Sequence, residues 1–100
     1  MIMHTVLFRW ERAPREDELA SVRDGLERLR ALPCVRHMEY GSDLGLRPQT
    51  YDFVMVAWFD DVDAYDHYSR HPVHSAFVND VLDPLGATRA SAQIDVATLP

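Results

Sequence analysis

The segment from Tyr51 to Phe59 is apolar or aromatic at every position except Asp52, and it contains neither glycine nor proline. Successive side chains of a β-strand point to opposite faces, so this segment would present an apolar surface on both. A strand of that kind needs cover on both sides, because apolar surface left in water costs free energy. The segment therefore predicts a central strand in a sheet that is buried on both faces.

The rest of the chain predicts three more strands and several helices around this one. The predicted strands cover residues 3–10, 35–40, 51–59 and 90–96, the last of them half-exposed. The predicted helices cover about 15 residues between Pro14 and Pro33, then 62–70, then 72 to 81 or 82. Residues 41–50, which include Gly41, Gly45 and Pro48, predict a loop. The order β-α-β-β-α-β predicts an α+β, ferredoxin-like fold with a four-stranded antiparallel sheet and its helices on one face.

One face of that sheet is left without cover. The helices lie on the other face, yet the first and third predicted strands are apolar on both. A large apolar surface of this kind usually marks an interaction site. We expect a single domain over residues 1–100 whose open face is buried against a second copy of the chain, giving a homodimer.

Composition removes several classes of partner and chemistry. The chain has 16 acidic residues against 10 cations, all arginine, and a formal net charge of -6. An acidic surface is repelled by phosphate, so neither nucleic acid nor a membrane is expected as a partner. Side-chain Schiff-base chemistry requires lysine, which the chain lacks.

The single cysteine, Cys34, cannot form an internal disulfide, and no basic leader precedes the first apolar residues; both favour a cytoplasmic chain that begins at Met1.

Three of the five histidines, His67, His71 and His74, fall within one short segment. They could in principle bind a metal, but Pro72 breaks the helical spacing, and no metal site is predicted. A neutral imidazole is also the most versatile proton carrier near neutral pH, and Tyr68 could orient it or polarise a carbonyl. In the alternative, these residues have structural roles only. His67 is then a solvated helix residue, His71 and His74 form hydrogen bonds to backbone carbonyls, and Tyr68 packs in the core.

Three segments carry a resemblance to a known family: Met3–Arg9, Tyr51–Asp60 and Tyr68–Val78, the last with the sequence YSRHPVHSAFV. Together they resemble the stress-responsive dimeric α/β-barrel (Dabb) family, and the match spans essentially the whole chain. The resemblance implies a ferredoxin-like chain whose sheet pairs with that of a second chain. The product is a homodimeric α/β barrel with an internal cavity.

The chain is also similar to the plant polyketide cyclases, which close a ring on a linear poly-β-keto substrate by an aldol condensation without a cofactor. This similarity implies that His74 is the catalytic base, that Tyr68 is its partner and that His4 lines the pocket. The cyclases carry another histidine on the third strand, where this chain has Phe53. We therefore expect a similar pocket for a different substrate, with His4, Phe53 and His71 as substrate-binding residues.

These observations predict a homodimer that binds a small apolar or aromatic carbonyl-bearing molecule, with no cofactor and no metal. Its predicted chemistry is a lyase-type cyclisation in which His74 takes a proton from the carbon next to a carbonyl. Tyr68 would donate to the developing enolate oxygen. One alternative is a non-catalytic stress-response dimer whose barrel is structural or only binds ligand. Another is a monooxygenase-like activity, which rests on analogy of fold alone.

Overall fold

The chain forms a four-stranded antiparallel sheet with strand order β2-β3-β1-β4. The computed structural model describes residues 1–48 and 50–100. Its elements are β1 (Ile2–Arg9), α1 (Glu16–Arg30), β2 (His37–Ser42), β3 (Phe53–Phe59), α2 (Val62–Arg70), α3 (Pro72–Phe77), a π-helical turn (Val78–Leu82), a 3-10 turn (Asp83–Leu85) and β4 (Thr88–Asp95). This arrangement is the ferredoxin-like α+β fold that the order of predicted elements indicates.

Elements with strong local signals lie where the sequence predicts them. Helix α2 spans the predicted residues, because the Asp61 carboxylate accepts a hydrogen bond from the Ala64 N–H (2.8 Å) at its start and Pro72 follows its end. Helix α1 has the predicted length of 15 residues. Its start is stabilised by Glu18, whose carboxylate accepts from the Arg15 N–H (2.9 Å).

Other boundaries differ from the prediction. The third helix is α-helical only as far as Phe77 and then widens into the π-helical turn. Strand β3 begins at Phe53 rather than Tyr51, and the carboxylate of Asp52, just before the strand, accepts from the Trp10 N–H (2.8 Å). Strand β2 runs over 37–42 instead of 35–40, so the predicted loop at 41–50 begins later. That loop also contains Gln49, which lies outside the described residues.

The two faces of the sheet differ, as the alternation in β1 and β3 predicts. The face under the helices, called the covered face below, carries His4, Val6, Phe8, Phe53, Met55, Ala57 and Phe59. The opposite, open face carries Met3, Thr5, Leu7, Val54, Val56 and Trp58, joined by Ala90, Ala92 and Ile94 of β4. No helix in the part of the chain that the structure describes is long and apolar enough to cross a membrane.

Candidate functional site

A cavity of about 340 Å³ lies between the covered face of the sheet and the helices. It is lined by His4, Val6, Phe8, Met55, Tyr65, Tyr68, Ser69, His74, Phe77, Val78, Leu82, Arg89 and Ser91. The deep residues, such as Phe8 and Leu82, are almost fully buried, whereas Arg89 and Ser91 on the edge strand β4 are exposed. The cavity therefore has an apolar floor and a polar rim at the edge of the sheet.

His4 reaches the cavity from β1 and is only 6% exposed. Burial and the neighbouring His74 lower the pKa of the His4 imidazole to about 4, so the ring is neutral near neutral pH. Its Nδ1 lies 2.9 Å from the amide nitrogen of Gln93. Because an amide nitrogen can only donate, Nδ1 accepts this bond and the ring proton resides on Nε2. His4 is thus a neutral hydrogen-bond donor rather than a base.

Tyr68 stands between the other two candidate groups. Its ring, carried by α2 and 1% exposed, lies 5.0 Å from the His74 ring and 6.1 Å from the His4 ring, measured between centroids. Burial raises the pKa of the Tyr68 phenol well above its usual value. The side chain therefore keeps its O–H and can donate a hydrogen bond.

His74 enters the cavity from α3 and is half-buried. Burial lowers the pKa of its imidazole, and the positive charge of Arg89 lowers it further. A neutral imidazole carries a lone pair and can accept a proton. Of the two cavity histidines, only His74 combines a partly accessible ring with this capacity, because His4 uses its accepting nitrogen on Gln93.

The structure places the other predicted site residues outside the lining of this cavity. His71 is the N-cap of α3, where its Nδ1 accepts from the Val73 N–H (3.1 Å). Phe53 is buried opposite Phe8 in the β1–β3 register and packs among the rings of Phe8, Trp10 and Tyr40. Met55, two residues further along β3, reaches the cavity instead.

The described residues contain no group of three His, Cys, Asp or Glu side chains placed to hold a metal. His67 is exposed on α2, with its ring 5.7 Å from that of His71, while His74 turns away towards Tyr68. Pro72 separates the two helices, so the three imidazoles do not converge. Cys34 is partly buried, and burial raises the pKa of its thiol.

The contribution of β4 to the cavity is not predicted from the sequence. Arg89, Ser91 and Gln93 pair with Phe8, Val6 and His4, which places them on the covered face. In the sequence these positions are the polar half of an alternating pattern, which usually faces water. Only the register with β1 shows that they border a cavity. The cavity is formed by residues of a single chain and lies on the covered face of its sheet.

Comparison with known proteins identifies relatives over most of the chain. The family model described as the stress responsive A/B barrel domain matches residues 2–96. An uncharacterised protein of Streptomyces coelicolor is 38% identical over 82 residues, covering 78% of this chain and 84% of that protein. A crystal structure of a dimeric ferredoxin-like protein of unknown function from Thermobifida fusca has a TM-score of 0.84 and 34% identity, covering 95% of this chain and 90% of that one. A Dabb family protein with a ferredoxin-like fold from Mesorhizobium loti has a TM-score of 0.79 and 29% identity, covering 97% of each chain.

Proposed function

This chain belongs to the stress-responsive A/B barrel domain family, and from that premise we propose that it binds a small carbonyl-bearing molecule in the cavity and moves a proton on it. The observation that carries the proposal is the convergence of His4, Tyr68 and His74 on one largely apolar cavity. The three groups have complementary roles, one acceptor and two donors. We further propose a cytoplasmic location, in line with the unpaired cysteine.

His74 acts as the general base. Burial and the charge of Arg89 keep its imidazole unprotonated near neutral pH. It can then take a proton from a carbon next to a carbonyl group, a step in which a positioned base typically contributes about 10²–10⁴-fold in rate. The half-buried ring also leaves room for a ligand to reach it.

Tyr68 and His4 stabilise the charge that develops on the carbonyl oxygen. Both are hydrogen-bond donors held neutral by burial, and both lie in a site with apolar walls. A donor aimed at a developing oxyanion in such surroundings lowers the barrier more than it would in water. Tyr68 lies nearer to His74 and is the primary donor in this proposal.

These roles suffice for an aldol ring closure without a cofactor. His74 removes the proton, and the remaining electron pair forms an enolate whose oxygen accepts from Tyr68. The enolate carbon attacks a second carbonyl of the same molecule, which forms the new carbon–carbon bond and leaves an alkoxide. The proton on His74 then passes to that alkoxide, so the base is regenerated.

We also propose that the chain is a homodimer whose open faces pack together. The Thermobifida fusca relative is described as dimeric and covers nearly the whole chain. The open face here is predominantly apolar, and Ile94 on it is 53% exposed in the single chain. Because the cavity lies on the covered face, each dimer would hold two independent sites.

Exchange of the α-protons of 2-tetralone in deuterated water, followed by NMR, tests the proposed chemistry. This probe is a cyclic ketone fused to a benzene ring. It has acidic α-protons, and its use needs no knowledge of the natural substrate. We expect the chain to accelerate exchange, His74→Gln to remove about 10²-fold or more of that acceleration, and Tyr68→Phe to remove a smaller part. His67→Gln, on the exposed side of α2, is the matched control and should leave the rate unchanged.

The non-catalytic alternative predicts a different outcome. If the chain binds 2-tetralone without accelerating exchange, or if His74→Gln lowers only the melting temperature, the cavity is a binding site and His74 is structural. Measuring binding and melting temperature on the same samples separates these outcomes from simple misfolding.

A further inference from the structure

The charge of the cavity differs from the charge of the chain around it. The chain carries a formal net charge of -6, yet among the residues that the structure describes no Asp or Glu side chain lines the cavity. The lining has one permanent charge, the guanidinium of Arg89. Acidic residues therefore surround the molecule but leave this site with a positive rim.

Arg89 is also free of the ion pairs that most of its counterparts make. Seven ion pairs join side chains in the part of the chain that the structure describes, and none involves Arg89. Arg12, Arg36 and Arg70, for example, each pair with a carboxylate at 2.7–3.1 Å. An unpaired guanidinium at the mouth of a cavity is ready to bind an anion from solution.

We propose that the ligand carries a carboxylate, which Arg89 binds at the rim while the carbonyl end of the ligand reaches Tyr68 and His74 below. This inference rests on the proposed function, because it assigns the substrate class of the same site. The planar guanidinium binds a carboxylate through two parallel hydrogen bonds, which fixes both the position and the direction of the ligand. Ser91, next along the same face of β4, provides a further polar group at the rim.

A carboxylate fits this rim better than a phosphate. One guanidinium balances one negative charge, and a phosphate monoester carries between one and two. Within the described part of the chain, no second arginine lines the cavity to balance the excess. In a chain whose net charge is already negative, that uncompensated charge would be repelled.

Binding of a carboxylate would also change the pKa of His74, the proposed base. Arg89 lowers the pKa of the His74 imidazole through its positive charge. A carboxylate paired with Arg89 cancels much of that charge, so the pKa of His74 should rise when the ligand is bound. A more basic His74 is a better proton acceptor, and the ligand would thus activate the residue that acts on it.

The test compares 2-naphthoate with 2-naphthamide, which share shape and aromatic surface but differ in charge. Binding is measured by calorimetry on the full chain, for the natural sequence and for Arg89→Met, Arg89→Lys and Arg70→Met. Arg70 is the matched control, since it is an exposed arginine of α2 that pairs with Asp66 and lies outside the cavity. Titration of the His74 ring by NMR, with and without naphthoate, provides a second readout.

We expect the natural sequence to bind naphthoate about tenfold more tightly than naphthamide, a ratio typical of one charge-assisted hydrogen-bonded pair. Arg89→Met should abolish the preference without weakening naphthamide, Arg89→Lys should retain part of it, and Arg70→Met should retain all of it. The pKa of His74 should rise on naphthoate binding in the natural sequence but not in Arg89→Met.

Failure of this inference differs from failure of the proposed function. Equal affinity for the two probes, or a preference that survives in Arg89→Met, overturns the carboxylate assignment even if 2-tetralone exchange still depends on His74. If neither probe binds but exchange persists, the carboxylate assignment alone is again overturned. If neither probe binds and no exchange occurs, both proposals are overturned.

Discussion

The two faces of the sheet are made from the same strands but have different compositions and surroundings. On the covered face, Phe59 and Phe8 are at most 1% exposed beneath the helices, and His4 is buried among aromatic rings. On the open face, Val54 and Val56 are half-buried only by their neighbours in the sheet, and Ile94 is 53% exposed. The covered face therefore provides both the core and the cavity, while the open face provides an apolar surface and no part of the cavity.

This difference suggests that assembly and chemistry are separated in the molecule. The residues proposed for chemistry lie between the covered face and the helices, whereas the residues proposed for pairing of chains lie on the open face. A change on one face should therefore affect one property and spare the other. Substitutions on each face test whether the separation holds.

The largest expected effect is that of Val56→Asp at the centre of the open face. Burying a polar group without a hydrogen-bond partner costs about 1–3 kcal/mol and burying an ionised carboxylate costs more, and a twofold interface contains the residue twice. We expect the dimer to weaken by about a hundredfold or more, as measured by sedimentation over a range of concentrations. The rate of 2-tetralone exchange per chain should stay within about twofold of the natural value, because the cavity lies within one chain.

Val62→Asp is the matched control for this substitution. Val62 is 65% exposed at the start of α2, where an added carboxylate also suits the positive end of the helix dipole. This variant should dimerise normally. A stable monomer in the natural sequence would contradict the proposed role of the open face, and loss of exchange in a folded Val56→Asp monomer would contradict the separation of the two faces.

The next effect concerns the buried imidazole of the covered face. The pKa of the His4 imidazole is about 4 in the folded chain, against an ordinary value of 6.5. Between these two pH values the unfolded chain binds a proton at His4 that the folded chain does not bind. The free energy of unfolding is therefore not reduced by His4 above about pH 6.5, and it falls as the pH drops towards about 4. The full loss is about 3 kcal/mol.

His4→Phe tests this by keeping an aromatic ring in the core while removing the titrating group. Urea unfolding at about pH 7 and about pH 4 should show a smaller loss of stability on acidification in the variant than in the natural chain, by up to about 3 kcal/mol. His67→Gln, which removes an exposed imidazole, should behave like the natural chain. Equal acid sensitivity in His4→Phe and the natural chain would show that His4 is not held neutral by burial.

The sequence predicted the parts of the molecule that depend on local signals. Helix α2 has an N-cap at Asp61 and a proline after its end, and both act within a few residues of the boundary. The apolar alternation of β1 and β3 likewise indicated both faces of the sheet correctly. The cluster of histidines made His74 one of three candidates, and the resemblance to a known family then selected His74 and added His4.

What the sequence could not predict depends on pairing between distant segments. The polar residues of β4 border the cavity only because Arg89 pairs with Phe8 and Gln93 with His4. A shift of the register by one residue would turn them to the open face. The π-helical turn at Val78–Leu82 could not be predicted from the sequence either. It differs from an α-helix in the hydrogen-bond spacing of the backbone rather than in its pattern of apolar residues.

The smallest expected effect lies where α1 packs on α3. Gly25 is buried in α1, and a Cβ there would overlap the ring of Phe77, which lines the cavity. Alanine stabilises a helix by about 1 kcal/mol relative to glycine, but overpacking of a core costs about 1–3 kcal/mol. Gly25→Ala should therefore lower the free energy of unfolding by about 1 kcal/mol. The displaced Phe77 ring can move towards the cavity, so naphthoate should also bind more weakly, by a few fold.

Gly41→Ala in β2 is the control, because in the single chain a Cβ at that position meets nothing within 4 Å and Gly41 pairs with Val54 of the open face, away from the cavity. It should leave naphthoate binding unchanged, with stability unchanged or slightly increased, since the strand loses a flexible residue without a clash. The contrary result would be that Gly25→Ala raises the free energy of unfolding by the amount that alanine stabilises a helix, with naphthoate binding unchanged. That result would mean that Phe77 repacks without cost. The wall of the cavity beside α1 would then be more adaptable than the rest of the covered face, where the core rings are closely packed.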